Sequence, residues 1–169
     1  METLCFATRG TGSAPDAQTV EVLREALEDE FRARAAYRKV IEAFGPVRPF
    51  VNIVEAEDRH AQALLALFAA FGVEPPPDSW PERVGAPASF AEACRAGVQA
   101  EIMNEAMYDR LLRRTSHPAV LAVLRRLQRA SRERHLPAFQ RCLARESGAS
   151  GRGPGGPQRR RARAGARSA

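Results

Sequence analysis

The stretch FGPVRPFVNIVEAEDRHAQALLALFAAFG, Phe44 to Gly72, decides how the rest of the chain is read. Gly45 and Pro46 end whatever helix precedes them, and Pro49 suits the first turn of a new one, where its missing N–H is not needed. The far end is closed by Gly72, with Pro75, Pro76 and Pro77 behind it. Between these marks Phe50, Ile53, Leu64, Leu67 and Phe71 recur with the spacing of one helix face. The middle of that apolar stripe is ionisable: Glu57 and His60. Three residues turn a helix through about 300°, so both side chains leave the same face and can reach one ion.

Outward from this segment, three more helices are predicted. Asp16 is placed to cap a helix ending near Phe44. Ser89 and Glu92 form a capping box for another, ending near Thr115. Pro118 opens the last, which runs to about Arg145. Its interior holds Pro137, which removes the bond to the Glu133 carbonyl and is expected to kink the helix and aim His135, at a cost of about 3 kcal/mol. The links after the first and third helices are short, which makes each pair antiparallel. Between the second and third, the 17 residues from Gly72 to Ala88 hold three consecutive prolines and the only tryptophan. At roughly 3.3 Å per residue they span about 55 Å, enough to run back along a helix. Short, long, short is the connectivity of an all-α four-helix bundle with one long crossover between helices 2 and 3.

Composition agrees. Ala, Arg, Leu and Glu dominate, all good helix formers, and 169 residues with 44% hydrophobic content can bury one core. The most apolar stretch, Ala61 to Phe71, is too short to span a membrane, which takes about 20 residues. The opening METLCFATRG lacks the apolar run of a signal peptide, so a soluble cytoplasmic protein is expected. The formal charge of +6 has a local origin: Arg152, Arg159, Arg160, Arg161, Arg163 and Arg167 follow Gly148 with no acid among them. Without these six, 20 basic residues face 20 acidic ones. The expected organisation is a flexible lead over 1–15, a bundle over 16–146 and a disordered Arg/Gly/Pro-rich tail over 147–169, the tail being solubilising without a specific partner or, as the alternative, offering weak nucleic-acid or acidic-protein contact. Cys5, Cys94 and Cys142 form no CxxC, which excludes a zinc ribbon and a rubredoxin-type centre.

The remaining stripes repeat the pattern of the second. Helix 1 reads Val20, Leu23, Leu27, Glu30, Arg34, Tyr37, Ile41, Phe44. Helix 3 reads Phe90, Cys94, Gly97, Glu101, Asn104, Tyr108, Leu111, with Glu105 beside it. Helix 4 reads Leu121, Leu124, Gln128, Ser131, His135, Ala138, Cys142. Every helix thus has an acid or a histidine at mid-length on its dry face. Buried carboxylates are costly without a compensating cation, and a metal supplies one. Glu30 and Tyr37 map onto Glu101 and Tyr108 at one constant offset, with His60 mapping onto His135, so the halves look like a pseudo-twofold pair. The spacing also gives Tyr37 and Tyr108 a supporting role, each hydroxyl bonding a ligand carboxylate on another helix. Glu28, Asp29, Glu55 and Asp58 are expected to be ordinary surface charges, and His117 a helix cap. Cys94 and Cys142, each seven residues from a candidate ligand on antiparallel helices, are expected to lie within about 7 Å at their α-carbons, the reach of a disulfide, and to stay buried thiols in a reducing cytoplasm.

The Phe44–Gly72 run and the phrase HLPAF, His135 to Phe139, resemble the ferritin-like superfamily, its small bacterial ferritin-like domains above all, with bacterioferritin and rubrerythrin as relatives. The resemblance covers about Asp16 to Arg145. It implies a Glu from helix 1, a Glu-x-x-His from helix 2, a Glu from helix 3 and a Glu-x-x-His from helix 4. Carried across, these are Glu30, Glu57, His60, Glu101 and His135. The sixth position departs: Arg132 stands three residues before His135, where a bridging Glu is implied. Glu105, one turn after Glu101, either supplies the lost carboxylate or pairs with Arg34. Carboxylates with two imidazoles suit two iron ions, with manganese or a single metal as alternatives. The resemblance implies a di-iron oxidoreductase of ferroxidase, peroxide reductase or oxidase type, acting on dioxygen or peroxide. Two other readings stay open: a metal-binding or stress protein without turnover, and a DNA-associated protector that uses the arginine tail. Either could be an oligomer.

Overall fold

Capping chemistry sets where the helices start. The computed structural model describes residues 14–150. The six tail arginines, and with them the expected nucleic-acid contact, lie outside the described residues, as do all but the last two residues of the expected lead. The first helix, α1, spans Ala17–Phe44; its N-cap Asp16 accepts from the Thr19 N–H at 2.7 Å. Gly45, at φ 82°, ends it with a conformation that side chains disfavour. The second, α2, spans Phe50–Phe71 after a cis Arg48–Pro49 peptide, and left-handed Gly72 closes it. The third, α3, spans Phe90–Leu112. Ser89 accepts from the Glu92 N–H at 3.1 Å, while the Glu92 carboxylate accepts from Ala88, one residue before the cap, at 3.0 Å. This helix stops three residues short of Thr115, whose hydroxyl instead lies 2.8 Å from that of Thr19.

The fourth rod departs from expectation in its middle. It consists of α4, Pro118–Ala130, a π-helical turn over Ser131–His135, and α5, Leu136–Ser150. The Leu136 N–H bonds the carbonyl of Ser131, five residues back. Pro137 therefore acts through a widened turn just before it: its ring crowds the preceding carbonyls and it has no N–H to offer them. The buried stripe shifts accordingly. It reads Val120, Leu124, Leu127, Ser131, His135, Phe139 and Cys142, in place of the Leu121, Gln128 and Ala138 expected from a constant seven-residue pattern. His117 stands at the N-cap position of α4 without a side-chain capping bond, its ring 4.9 Å from that of Phe71.

Two apolar clusters fix the topology. One holds Leu23, Leu27, Leu64, Phe68, Leu111 and Leu124 among others; the second holds Tyr37, Phe50, Ile53, Cys94, Phe139 and Cys142. The chain passes from the first to the second along α1, back along α2, from the second to the first along α3, and back along the fourth rod. Helices α2 and α3 are thus parallel, which the long crossover makes possible. The described residues form an all-α four-helix bundle, with α1 packed chiefly on α2 and α3 on α5. Among them no helix is long and apolar enough to cross a membrane.

Charged residues of α1 hold the crossover. Trp80, in a 3-10 turn over Trp80–Glu82, donates its indole N–H to Glu28 at 2.7 Å. Arg34 pairs with Asp78 of the crossover and, at 3.0 Å, with Asp58 of α2. Asp29 pairs with Arg32 and accepts from Asn104 at 2.7 Å. Glu28, Asp29 and Asp58 are therefore structural links, not the solvated charges expected of them. At the other end, Cys94 and Cys142 are joined as a disulfide, in place of the expected thiols, with α-carbons 5.7 Å apart, which confirms the antiparallel register of α3 and α5. Gly97 permits that approach: a Cβ there would sit 2.5 Å from the Phe139 ring.

Candidate metal centre

Between the two apolar clusters lies a polar layer. Glu30, Glu57, Glu101, Ser131 and His135 each keep no more than 4% of their surface exposed, and His60 keeps 8%. Every rod supplies a member because each stripe carries its ionisable residue at mid-length. Ligand atoms of Glu30, Glu57 and His60 all lie within 4.8 Å of one another, as do those of Glu57, Glu101 and His135. Glu57 belongs to both groups and divides its oxygens between them. Its Oε2 is 2.8 Å from His60 Nδ1, while its Oε1 is 3.3 Å from His135 Nδ1. Glu30 reaches His60 Nδ1 at 3.3 Å, and Glu101 reaches His135 Nδ1 at 3.7 Å. The two imidazoles stack with centroids 5.5 Å apart.

Hydroxyl donors hold the carboxylates in reciprocal fashion. Tyr37 of α1 donates to Glu101 Oε1 of α3 at 3.0 Å, and Tyr108 of α3 donates to Glu30 Oε1 of α1 at 2.5 Å. This exchange follows the duplication of Glu-x6-Tyr between the two helices. Burial and the neighbouring carboxylates push both phenols well above their ordinary range, so they remain donors. Ser131 donates to Glu101 Oε2 at 2.6 Å.

Proton affinities in the layer are strongly displaced. Burial and the charge of Glu57 push Glu30 up to about 8. For Glu57, burial is outweighed by hydrogen bonds from His135 and His60, which hold it far below the usual carboxylate range. Burial alone would depress the imidazoles. Bonds to Glu30 and Glu57 instead lift His60 to about 9, and bonds to Glu101 and Glu57 lift His135 to about 10. The metal-free layer thus binds protons where a loaded one would bind cations.

The structure brings Glu30, Glu57, His60, Glu101 and His135 together and leaves two sequence candidates outside. Arg132, expected at the sixth position, has a side chain 59% exposed and pairs with Glu105 at 3.8 Å. Glu105 joins neither group, and Arg34 pairs with Asp58 and Asp78 instead of with Glu105. The cause is the π turn, which keeps Ser131, four residues before His135, on the inner face and turns Arg132 outward. Ser131 stood on the predicted stripe without an assigned role; its place four residues before His135 and six before Pro137 was the available signal.

Fold and site together define a four-helix bundle with a buried carboxylate–histidine layer able to hold a metal. No protein-family model and no curated protein matches the chain. It is similar in structure to a hypothetical protein from Methanococcus jannaschii DSM 2661, with 24% identity over 75% of this chain and 80% of that chain, at a TM-score of 0.68. At that identity the likeness shows a shared fold alone.

Proposed function

We propose that this chain is a ferritin-like protein that holds two metal ions in its polar layer, iron first and manganese as the alternative, for redox chemistry with dioxygen or peroxide. The observation that carries the reading is Glu57, whose two oxygens serve two separate carboxylate–histidine groups. Glu30, Glu57 and His60 would hold one ion, and Glu57, Glu101 and His135 the other. The donor set fits: three carboxylates with two imidazoles are rich in oxygen and suit iron or manganese better than a closed tetrahedral zinc site. Iron bound there would supply electron transfer to dioxygen or peroxide.

The chain's own residues prepare that chemistry. Tyr37, Tyr108 and Ser131 fix the carboxylates, a support whose loss typically costs 10- to 100-fold in metal affinity. The two flanking clusters pack against the layer from either end of the bundle, and a cavity between α1 and α3 reaches its carboxylates. One feature favours a second reading, a single-ion or non-catalytic protein: the resemblance implies a second bridging carboxylate, whereas Ser131 is the residue that faces the layer beside His135. Anaerobic loading with Fe(II) or Mn(II) followed by metal analysis separates the two. Two ions per chain with oxygen consumption support the first reading, and one ion without turnover the second. Replacing both Glu57 and His60 with Ala should abolish stoichiometric binding; unchanged stoichiometry would defeat both.

A further inference from the structure

We propose that the cavity between α1 and α3 binds a small, uncharged, apolar organic molecule that presents a hydrogen-bond donor to the carboxylate layer. The cavity measures about 290 Å³. A void of roughly 150 Å³ holds benzene, so this one has room for two fused rings or a chain of similar bulk. Its walls explain why it is there. Ala33 and Ala36 of α1 face Ala96, Gly97 and Ala100 of α3, small residues where the rest of the bundle is filled by Leu and Phe. Val84 and Pro87 of the crossover complete the wall on the outer side, and the Trp80–Glu28 bond ties that crossover to α1.

The polar surface of the cavity selects the ligand. Where it meets the layer it touches Glu30, Glu57 and Glu101 but neither histidine. Beside them, Asn104 lines the cavity with a buried Oδ1 that has no hydrogen-bond partner, its amide nitrogen being used on Asp29. Glu57, Glu101 and the orphaned Asn104 amide oxygen offer acceptors, while Arg32, the one cation on the wall among the described residues, is already paired with Asp29. The acceptors repel a carboxylate or a phosphate and favour a hydroxyl or an amide N–H on an apolar body. The inference rests on the cavity and applies to the metal-free chain, so it can fail or hold independently of metal loading.

The test is a titration of 2-naphthol into the metal-free full chain at neutral pH, followed by naphthol fluorescence, with 2-naphthoate as the anionic counterpart. Saturable one-to-one binding of 2-naphthol is expected, with 2-naphthoate at least tenfold weaker. The double variant Ala36→Leu/Ala100→Leu fills the cavity and should weaken 2-naphthol at least tenfold with the helical circular dichroism unchanged. Ala96→Leu, at an exposed wall position that tolerates a longer side chain, should give a loss in the same direction even if the double variant does not fold. Absence of saturable binding, equal affinity for the two probes, or affinity untouched by Ala96→Leu would each overturn the proposal.

Discussion

Loading the metal-free protein with Mn(II) at pH 7 is expected to release about three protons per chain, because binding must displace those held by Glu30, His60 and His135. The magnitude follows from the layer. With Glu30 lifted to about 8, His60 to about 9 and His135 to about 10, all three are protonated at neutral pH. A site of ordinary groups, with His near 6.5 and Glu near 4.3, would release only about half a proton there. The difference is sixfold, well beyond measurement error. By linkage, release of about three protons makes the overall loading constant rise about 1,000-fold per pH unit near neutrality, about 30-fold per ion when two ions share the layer. Mn(II) avoids oxidation during the measurement. Calorimetric titration in buffers of different ionisation enthalpy counts the protons directly, and His60→Ala or His135→Ala should each lower the count by about one. Release near half a proton, with less than a tenfold affinity change between pH 6.5 and 7.5, would refute the picture of a buried layer that exchanges protons for metal.

Stability of the metal-free chain should be greatest at mildly acidic pH. Groups whose folded pKa is raised contribute stability that is complete below their unfolded values and lost as pH rises through the folded ones: about 8 for Glu30, 9 for His60 and 10 for His135. Glu57, whose pKa is lowered, contributes above its unfolded value and loses that contribution as pH falls through about 2. Thermal midpoints should therefore peak near pH 4.5, decline as Glu30's contribution goes and fall more steeply above pH 6.5 toward pH 10, and a midpoint that climbs through that alkaline range would contradict the assignment. Tyr108→Phe removes a buried donor from Glu30 and should cost about 1 to 3 kcal/mol in denaturant titration, with metal affinity down 10- to 100-fold; a variant as stable and as tight as the parent would show that the bond is idle. Gly97→Ala drives a Cβ into the fully buried Phe139 ring and should destabilise by about 1 to 3 kcal/mol despite alanine's better helix propensity; a stabilised variant would mean that α5 can shift freely on α3.

Much of this protein follows from spacing along the chain, because helix caps, proline and glycine stops and a 3.6-residue period are local properties. Asp16, Ser89 and Pro118 marked three helix starts, and the 17-residue link from Gly72 to Ala88 implied the crossover. Glu30, Glu57, His60, Glu101 and His135 were legible as ionisable residues on apolar stripes, and so was the proximity of Cys94 to Cys142. Other features depended on how the rods meet. A constant period carried through Pro137 misassigned Leu121, Gln128 and Ala138, since a π turn changes the phase of a helix without altering its composition. That change of phase turned Arg132 outward to Glu105, while Ser131, already on the expected stripe, gained its role only from the Glu101 carboxylate of a neighbouring helix. Glu28, Asp29 and Asp58 read as surface charges because their partners, Trp80, Asn104, Arg34 and Arg38, lie on other segments or across the bundle. The cavity was equally invisible, for an alanine on a helix signals a void only when the opposing helix also presents alanine or glycine, and that pairing is a property of tertiary structure alone.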